Sequence, residues 1–514
     1  MWMNSSKKSP NLSVKNHILA ILTHKNDPMF YTYKIVRTLI VTLFYFGISQ
    51  TGISQRQANI WYFGNGGGLD FNNQCNPLVL TDGAIQGYEG CATISDKNTG
   101  QILFYTNSAQ IWNRAHQIMP NGNLIPNGNT ITQVTIIQKP GSDSLYYVIT
   151  SEIQGFSGQG YRFHMVDMSL NGGLGGILYK DSLLYSSPVT EKMIVVPHAN
   201  GTDAWMIGHA YNSNQFLAFH ISAAGINRSP VISSIGKIHF DPSSADAVGE
   251  IKATPDATKI AVVTLVSPNI ELFDFDYNSG IISNPILIPE RGAYNSNGNG
   301  SGLYGLSFSA DNTKLYVSQW LAPSAGISAK IIQYDISSND SALIQQSRVN
   351  VFTSTTKNLY SLKLAHNKKI YVGQNQSNGY LGVINAPDSS GLLCNYVDNG
   401  LYLNGKNSGW GLNNLMEYTE LCEVISQSEK TKEINSYTLS PNPFNTESLF
   451  TTTYPLHNAK LTIFNTLGQL VFEKDKIVEQ SVQIKSKDLK PGIHFAQITQ
   501  DNQILFSFRL LVQN

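Results

Sequence analysis

The sequence is poor in charge and lacks the short motifs of the common catalytic centres. Only 14% of its 514 residues are charged, and 35 basic residues balance 35 acidic ones. A nucleic-acid-binding protein shows a basic face, so this balance argues against a nucleic-acid partner. GxSxG, HExxH, P-loop and EF-hand patterns are absent, and GNGGG at 64–68 lacks the helix and lysine of a phosphate-binding loop. We therefore predict no catalytic residue, no metal and no cofactor.

Cysteine is scarce, and its spacing excludes the usual cysteine-based metal sites. None of the four cysteines belongs to a CxxC or CxxH pattern. Four cysteines permit three sets of pairings, and in an exported chain one or two disulfides are expected. Buried free thiols are the alternative. The residues concerned are Cys75, Cys91, Cys394 and Cys422.

No apolar run reaches the ~20 residues that a membrane-spanning helix needs. Lys34 and Arg37 precede a short apolar stretch, 39–48, and small or polar residues follow at Gly52 and Ser54. This is the layout of a signal peptide. We predict that residues 1–54 are an N-terminal extension and signal peptide, that Met29 is the true start and that the mature protein has no transmembrane span. A long but genuine n-region is the alternative.

The sequence contains a repeated strand–turn–strand unit. ATPDATKIAVV at Ala253–Val263 returns as SADNTKLYVS at 309–318 and as LAHNKKIYVG at 364–373. Proline and aspartate supply the turn chemistry, and β-formers follow. Four equivalent residues lie 55 positions apart: Trp205, Ile260, Leu315 and Ile370. A period of this length with several strands per unit is typical of propeller blades.

Seven stretches qualify as the innermost strand of a blade. They are 90–96, 133–140, 192–198, 249–256, 304–311, 360–367 and 411–418. The seventh has no partner strands after it, but 59–64, 68–71 and 77–80 near the N-terminus can supply them. An unclosed ring would expose a sheet edge. We therefore predict an all-β fold in which residues 55–420 form a seven-bladed β-propeller of WD40-like repeats, closed by N- and C-terminal strands, with a disulfide across the seam as a further hypothesis.

The residues at the start of the inner strands are predicted to surround the mouth of the central channel. Aromatic rings can stack on sugars or apolar side chains, and Glu, Gln or Lys can orient hydroxyls or amides. A ligand site at this mouth is one hypothesis, and aromatic rings that only fill the channel entrance are the alternative. The residues are Glu89, Gln133, Lys192, Glu250, Tyr304, Tyr360 and Trp410.

Two other sets of residues have more ordinary interpretations. Three histidines recur every 11 residues, at His198, His209 and His220, but they are expected on successive strands or turns rather than on one metal ion. Four aspartates occupy equivalent turns of different repeats, where we expect them to cap the turns. They are Asp96, Asp203, Asp256 and Asp311.

The C-terminal part is a separate small β unit. Residues 421–436 are polar and read as a linker, and a seven-strand sandwich of immunoglobulin type fits the length of 437–514. Its motifs are SPNPF at 440–444, IFNTLGQLV at 463–471, LKPGIHFAQI at 489–498 and RLLV at 509–512. In this order they resemble the C-terminal sorting domain of the type IX secretion system. That resemblance implies export across the outer membrane with the secretion machinery as partner, and a secreted or surface location.

Residues 59–418 resemble exported propellers that precede such sorting domains or gliding-motility-associated domains. The similar segments include WYFGNGGGLDFN at 61–72, EGCATISD at 89–96, LFYTNSAQIWNRAHQIMPNG at 103–122, ELFDFD at 271–276 and YLGVINAPDSSGLLCNY at 380–396. We predict a non-enzymatic binding or adhesion protein that recognises a glycan or a surface protein. A hydrolase or lyase at the channel is the alternative and would need a tight Glu/Asp/His cluster around a metal. A scaffold that only presents loops is a third possibility.

Overall fold

The computed structural model describes residues 55–513 except 73–75, 88, 125–132, 154–157, 244, 291–301, 324–325, 375–378, 416–436, 453–454, 466–468 and 501–502. The predicted signal peptide and linker lie outside the described residues, as do Cys75 and Cys422. The protein is all-β, as predicted. No helix in these ranges is long and apolar enough to cross a membrane.

Seven antiparallel sheets follow one another along the described part of residues 60–402. The first of these sheets has three strands, and the second and third have four strands each. Sheet 1 contains β1 (Ile60–Phe63), β2 (Gly67–Asp70) and β3 (Leu78–Leu80). Sheet 2 contains β4 (Ala92–Ser95), β5 (Ile102–Thr106), β6 (Gln110–Asn113) and β7 (Ile118–Asn123). Sheet 3 contains β8 (Val134–Gln138), β9 (Leu145–Thr150), β10 (Tyr161–Asp167) and β11 (Gly176–Tyr185).

The next four sheets carry the repeated unit. Sheet 4 contains β12 (Val189–Pro197), β13 (Ala204–Ala210), β14 (Gln215–Ser222), β15 (Gly225–Ile226) and β16 (Val231–Ser234). Sheet 5 contains β17 (Ile251–Ala253), β18 (Lys259–Val263), β19 (Asn269–Asp276) and β20 (Ile281–Pro289). Sheet 6 contains β21 (Leu303–Phe308), β22 (Lys314–Gln319), β23 (Ala329–Asp335) and β24 (Val349–Ser354), with helix α1 (Ser341–Gln346) before its last strand. Sheet 7 contains β25 (Leu362–Leu364), β26 (Ile370–Val372), β27 (Tyr380–Ile384) and β28 (Tyr396–Tyr402).

The four residues of the 55-residue period hold equivalent places in these sheets. Each lies at or next to the start of the second strand and pairs with the last or next-to-last residue of the first strand. The pairs are Val196–Trp205, Ala253–Ile260, Phe308–Leu315 and Leu364–Ile370. The turn that precedes three of them needs a left-handed residue, which is Ala257, Asn312 or Lys368, with φ of 59°, 63° and 60°.

Burial falls from the first strand of a sheet to the last. All residues of β4 and β21 are buried, whereas β11 and β28 are largely exposed. The first strands of consecutive sheets contact each other from β4 through β8, β12, β17 and β21 to β25. The core of residues 60–402 therefore lies where the first strands meet and between neighbouring sheets.

The N-terminal sheet packs between sheet 2 and sheet 7. Trp61 and Phe71 of sheet 1 share one apolar cluster with Tyr105 of sheet 2 and Tyr371 of sheet 7. The edge-to-face contact between Trp61 and Tyr371 has a centroid distance of 5.9 Å. The first and last sheets of residues 60–402 are thus joined by aromatic packing between residues 310 positions apart in sequence.

The predicted inner strand at 411–418 is not a strand in its described residues, 411–415. Among the described residues β1 pairs with β2 only. The reason is that the hydrogen bonds of 411–415 are divided among several strands. The Asn414 N–H donates to the Cys91 carbonyl at 2.9 Å, and the Asn413 Oδ1 accepts the Thr93 N–H at 2.8 Å. The Asn414 Nδ2 donates to the Met193 carbonyl at 3.2 Å, and the Leu415 carbonyl accepts the Lys363 ammonium at 2.8 Å. The Tyr62 N–H in turn donates to the Thr93 hydroxyl at 2.9 Å.

The expected disulfides do not include the two described cysteines. Cys91 and Cys394 are free and buried. They belong to different apolar clusters, so they are not neighbours. Burial raises the pKa of Cys91 to about 12 and that of Cys394 to about 11, which keeps both thiols protonated and unreactive at neutral pH.

The described residues from 437 onward form seven strands in two sheets around one core. Sheet 8 contains β29 (Tyr437–Ser440), β30 (Glu447–Thr452) and β33 (Ser481–Lys485). Sheet 9 contains β32 (Leu470–Ile477), β31 (Ala459–Asn465), β34 (Gly492–Gln500) and β35 (Gln503–Val512). Phe450 and Val482 of sheet 8 pack with Ile463, Ala496 and other residues of sheet 9. The motif at 463–471 spans the end of β31 and the start of β32, which pair with each other, and residues 466–468 between them lie outside the described residues.

Candidate functional site

Two of the predicted mouth residues meet through a buried hydrogen bond. The Tyr304 hydroxyl donates to Glu89 Oε1, and Gln133 Nε2 donates to the same oxygen at 3.4 Å. Glu89 is 3% exposed and Tyr304 is 1% exposed. Burial, followed by the charges of Glu191 and Glu250, raises the pKa of Glu89 well above its usual range. The structure thus brings together residues from sheets 2, 3 and 6.

The predicted aromatic residues also meet. Tyr360 stacks on Trp410 with ring centroids 5.1 Å apart and an interplanar angle of 9°, and Tyr304 lies edge-on to Tyr360 at 5.7 Å. Trp320, which the sequence analysis missed, stacks on Tyr304 at 5.5 Å and contacts Trp410 at 5.4 Å. Tyr304 and Tyr360 are buried, whereas Trp320 and Trp410 remain partly exposed. We call these four rings the aromatic cluster.

Glu250 lies beside the aromatic cluster and is held by neighbouring strands. Its Oε1 accepts the Ser361 hydroxyl at 2.6 Å and its Oε2 accepts the Leu306 N–H at 3.1 Å. The buried Lys252 ammonium is 3.5 Å from Oε1. The carboxylate is therefore fixed by three partners and balanced by one positive charge.

Lys192 does not join the aromatic cluster. Its fully buried ammonium donates to the carbonyls of Asp246 and Val248, at 2.6 and 2.8 Å. Burial lowers the pKa of Lys192 to about 8. These bonds fasten the loop before β17 to β12, a structural role. A cavity of about 10 Å³ remains between Lys192, Glu191 and Glu250, which is room for roughly one water.

The three periodic histidines occupy two separate places. The rings of His198 and His220 are 4.9 Å apart and flank Trp205, and the His220 Nε2 lies 3.0 Å from the Asp203 carboxylate. His209 instead stacks on His239 at 3.9 Å. In the ranges that the structure describes, no group of three or more His, Cys, Asp or Glu side chains is placed to hold a metal ion.

Three of the four periodic aspartates cap their turns. A carboxylate oxygen accepts a backbone N–H two residues on in each of Asp96, Asp256 and Asp311, at 3.0, 3.1 and 3.0 Å. Asp203 is the exception because it faces His220. The turn aspartates are therefore spread over different sheets and form no common site.

The comparison with family models gives one clear result. Residues 438–513 match a secretion system C-terminal sorting domain. The match supports the predicted type IX sorting domain and indicates a secreted or surface-exposed protein. Curated proteins yield no match.

Several solved structures align over most of the chain at low identity. PorZ, an essential bacterial surface component of the type IX secretion system of Porphyromonas gingivalis, aligns at 10% identity over 88% of this chain and 73% of its own, with a TM-score of 0.31. The BP39L lectin from Burkholderia pseudomallei aligns at 10% identity over 71% and 97%, with a TM-score of 0.40. A protein from Lactobacillus plantarum aligns at 13% identity over 77% and 98%, with a TM-score of 0.34. Likeness at this level defines neither a ligand nor an activity.

Proposed function

We propose that residues 55–420 form a closed propeller of seven blades, that 421–436 is a linker and that 437–514 is the sorting domain. The contacts between successive first strands from β4 to β25 support a ring. The packing of sheet 1 between sheets 2 and 7 supports closure, and so do the hydrogen bonds from Asn413 and Asn414 to the start of sheet 2. In this arrangement the seam is closed by side-chain packing and two hydrogen bonds rather than by a complete terminal strand.

The protein is proposed to act outside the cell, delivered by the type IX machinery through residues 437–514. The sorting-domain match supports this destination. There the propeller serves as a non-enzymatic binding or adhesion module for a glycan or a surface protein. The aromatic cluster carries this part of the proposal, because Trp320 and Trp410 present partly exposed rings over a fixed base of Tyr304 and Tyr360.

The chemistry of the aromatic cluster fits a sugar. Indole faces bind the apolar face of a pyranose ring, and the fixed carboxylate of Glu250 can accept a hydroxyl beside them. Because Tyr304 and Tyr360 are buried, the binding surface is the outer face formed by Trp320 and Trp410 and does not extend into the channel.

A glycan array with the full chain tests the proposal. We expect binding that is lost in Trp410→Ala and Trp320→Ala but kept in Tyr402→Ala, which removes an exposed ring from an outer strand. Each variant is first checked for folding by its thermal unfolding midpoint. Absence of binding to any glycan, or equal binding in all three variants, would overturn the proposal. Turnover of a bound glycan that disappears in Glu89→Gln would replace it with the hydrolase or lyase alternative.

A further inference from the structure

A second site lies between sheets 4 and 5, outside the aromatic cluster. The loop before β17 and the start of β19 enclose a cavity of about 180 Å³. At ~30 Å³ per water this is room for about six waters or for one molecule of about a dozen non-hydrogen atoms. Seven of its eight lining residues have polar side chains, among them His239, Asp246, Thr264, Ser267, Asn269 and Glu271. We call it the side cavity.

The floor of the side cavity is a buried histidine–glutamate pair. The Nε2 of His239 lies 2.7 Å from Glu271 Oε2, and Glu271 Oε1 accepts the Lys237 N–H at 2.7 Å. His239 is 1% exposed and Glu271 is 3% exposed. The donor in this bond is Nε2 or a protonated Glu271, depending on the tautomer of the ring. Within the described residues the Nδ1 of His239 has no hydrogen-bond partner.

The ring of His239 is held in place by its surroundings. His209 stacks on it at 3.9 Å, and the backbone of His239 exchanges hydrogen bonds with Asn212 and Ser213 on the β13–β14 turn, both at 3.0 Å. The stacking and the two backbone hydrogen bonds therefore hold the His239–Glu271 pair in one position beside the cavity.

The walls of the side cavity are equally fixed. Asp246 Oδ1 accepts the N–H groups of Val266 and Ser267, at 2.8 and 3.0 Å. Asn269 donates through Nδ2 to the Ser267 carbonyl at 2.6 Å and accepts the Lys237 ammonium at 3.1 Å. Polar atoms held by backbone bonds give a ligand fixed hydrogen-bonding positions at little entropic cost.

The charges around the side cavity nearly cancel. Asp246 and Glu271 face the ammonium groups of Lys237 at the rim and Lys192 behind the wall. Burial raises the pKa of Glu271 to about 7, so this carboxyl is only partly ionised at neutral pH. A strongly charged ligand would meet no net counter-charge. Ile238, 63% exposed at the rim, adds an apolar surface to a ring of hydrogen-bonding groups.

We propose that the side cavity binds a neutral polyhydroxylated molecule of monosaccharide size, with its hydroxyls on Glu271 and Asn269 and its apolar face toward Ile238. The side cavity offers both hydrogen-bond donors and acceptors, its charges nearly cancel, and its rim carries a small apolar surface. These features fit a sugar better than an anion or an amine. The site is independent of the aromatic cluster because no residue is shared between them.

Isothermal titration of the full chain with D-glucose, D-galactose, D-mannose, N-acetylglucosamine and L-fucose tests the site. We expect at least one of these sugars to bind, and Glu271→Gln to weaken it by about tenfold or more because a charge-assisted hydrogen bond is lost. Asn269→Leu at the rim should weaken the same sugar without the folding risk of a buried change. Asn278→Leu, at an exposed turn of the same sheet, should leave binding unchanged.

The outcomes separate the two sites. Binding that is lost in Asn269→Leu and kept in Trp410→Ala supports the side cavity. No binding of any of the five sugars overturns the proposal. Binding that is unchanged in both Glu271→Gln and Asn269→Leu also overturns it. Binding that is lost only in Trp410→Ala assigns the sugar to the aromatic cluster instead.

Discussion

The aromatic cluster and the side cavity each adjoin a buried carboxyl group, yet the space beside these groups differs. Beside Glu250, the side chains of Lys192, Glu191 and Lys252 leave about 10 Å³. Beside Glu271, small polar side chains leave about 180 Å³. Glu89 accepts hydrogen bonds from Tyr304 and Gln133, whereas the Nδ1 of His239 has no hydrogen-bond partner within the described residues.

This difference separates packing from binding. Large aromatic residues draw attention in a sequence, but here two of the four fill space and stabilise the meeting point of the strands. The side cavity is built from residues of modest size that have no pattern in common. Substitutions of the buried Tyr304 and Tyr360 should therefore mainly cost stability, whereas substitutions at the side cavity should mainly cost ligand affinity.

The largest effect is expected for Tyr304→Ala. Removing a buried aromatic side chain costs about 3–5 kcal/mol of unfolding free energy, and the change also takes the hydroxyl partner from Glu89. Guanidinium unfolding followed by tryptophan fluorescence measures it, because all six tryptophans precede residue 437. Tyr304→Phe keeps the ring and should lose only about 1–2 kcal/mol. A loss below about 1 kcal/mol in the alanine variant would contradict the packing role.

The fold was largely predictable from sequence because its signals are local. The turn chemistry before Ile260, Leu315 and Ile370 and the alternation after it determine each hairpin, so a fixed period was enough to align the sheets. The predicted strand at 411–418 was wrong over 411–415 because the partners of Asn413 and Asn414 lie some 320 residues away and leave no local pattern.

The candidate sites were only partly predictable. Tyr304, Tyr360 and Trp410 meet because all precede or begin segments that converge at the centre. Lys192 has the same position in its strand, but its long side chain reaches backbone carbonyls elsewhere. Trp320 follows the second strand of sheet 6, and the antiparallel hairpin brings it back beside the start of the first strand, next to Tyr304. The repeated hairpin pattern could therefore have predicted its place. His239 lies in an irregular loop 32 residues from Glu271, so no spacing rule pairs them.

The next largest effect concerns pH and sharpens the electrostatic side of the comparison. The pKa of His209 lies well below the usual range because of burial, followed by the charges of His239 and Lys192. The pKa of His239 is lowered in the same way by burial and then by the charge of Lys192. The unfolded chain takes up protons below about pH 6.5 that the folded chain refuses, so stability falls as the pH falls, by about 1.4 kcal/mol per pH unit for each ring. Glu271, with its pKa raised to about 7, binds a proton in the folded state and opposes this trend.

His209→Phe should remove one of these two losses. Relative to its own stability at pH 7, the variant should retain about 2 kcal/mol more than the unmodified protein at pH 5, because one ring no longer has to stay neutral. The contribution of Glu271 is present in both proteins and cancels to first order in the difference. Denaturant midpoints at the two pH values measure the effect, and His457→Phe, at an exposed position, is the control. Parallel pH curves for all three proteins would show that the stacked rings do not govern acid stability.

A smaller effect on stability is expected at the seam, where sheet 1 packs between sheets 2 and 7. The seam lies near the aromatic cluster and includes no residue of the side cavity. In Asn413→Ala the buried Thr93 N–H loses its acceptor, and we expect a loss of about 1–2 kcal/mol. Asn350→Ala, an exposed change on β24, should stay within about 0.5 kcal/mol. Fluorescence-detected unfolding compares them. If both variants match the unmodified protein, the hydrogen bond across the seam contributes nothing to closure.

The smallest effect is a gain in stability. It tests whether the hairpin turns of sheets 5 and 7 have the same backbone conformation. Lys368 lies in the β25–β26 turn of sheet 7 and Ala257 in the β17–β18 turn of sheet 5, both with left-handed φ. Glycine adopts this conformation without the strain of a side chain, so Lys368→Gly should add about 0.5–1 kcal/mol of stability. Asn312→Gly at the equivalent turn of sheet 6 should add less, because asparagine tolerates this conformation better.

The matching change in sheet 5, Ala257→Gly, should add less than Lys368→Gly because the buried methyl group of Ala257 also packs against its surroundings. Thermal midpoints under identical buffer rank the three variants. A loss of stability in Lys368→Gly would mean that the turn is held by its side chain rather than strained by it. A gain of stability in Lys368→Gly with little change in Ala257→Gly would mean that the two turns have the same backbone conformation. The contrast between the aromatic cluster and the side cavity would then come from their side chains.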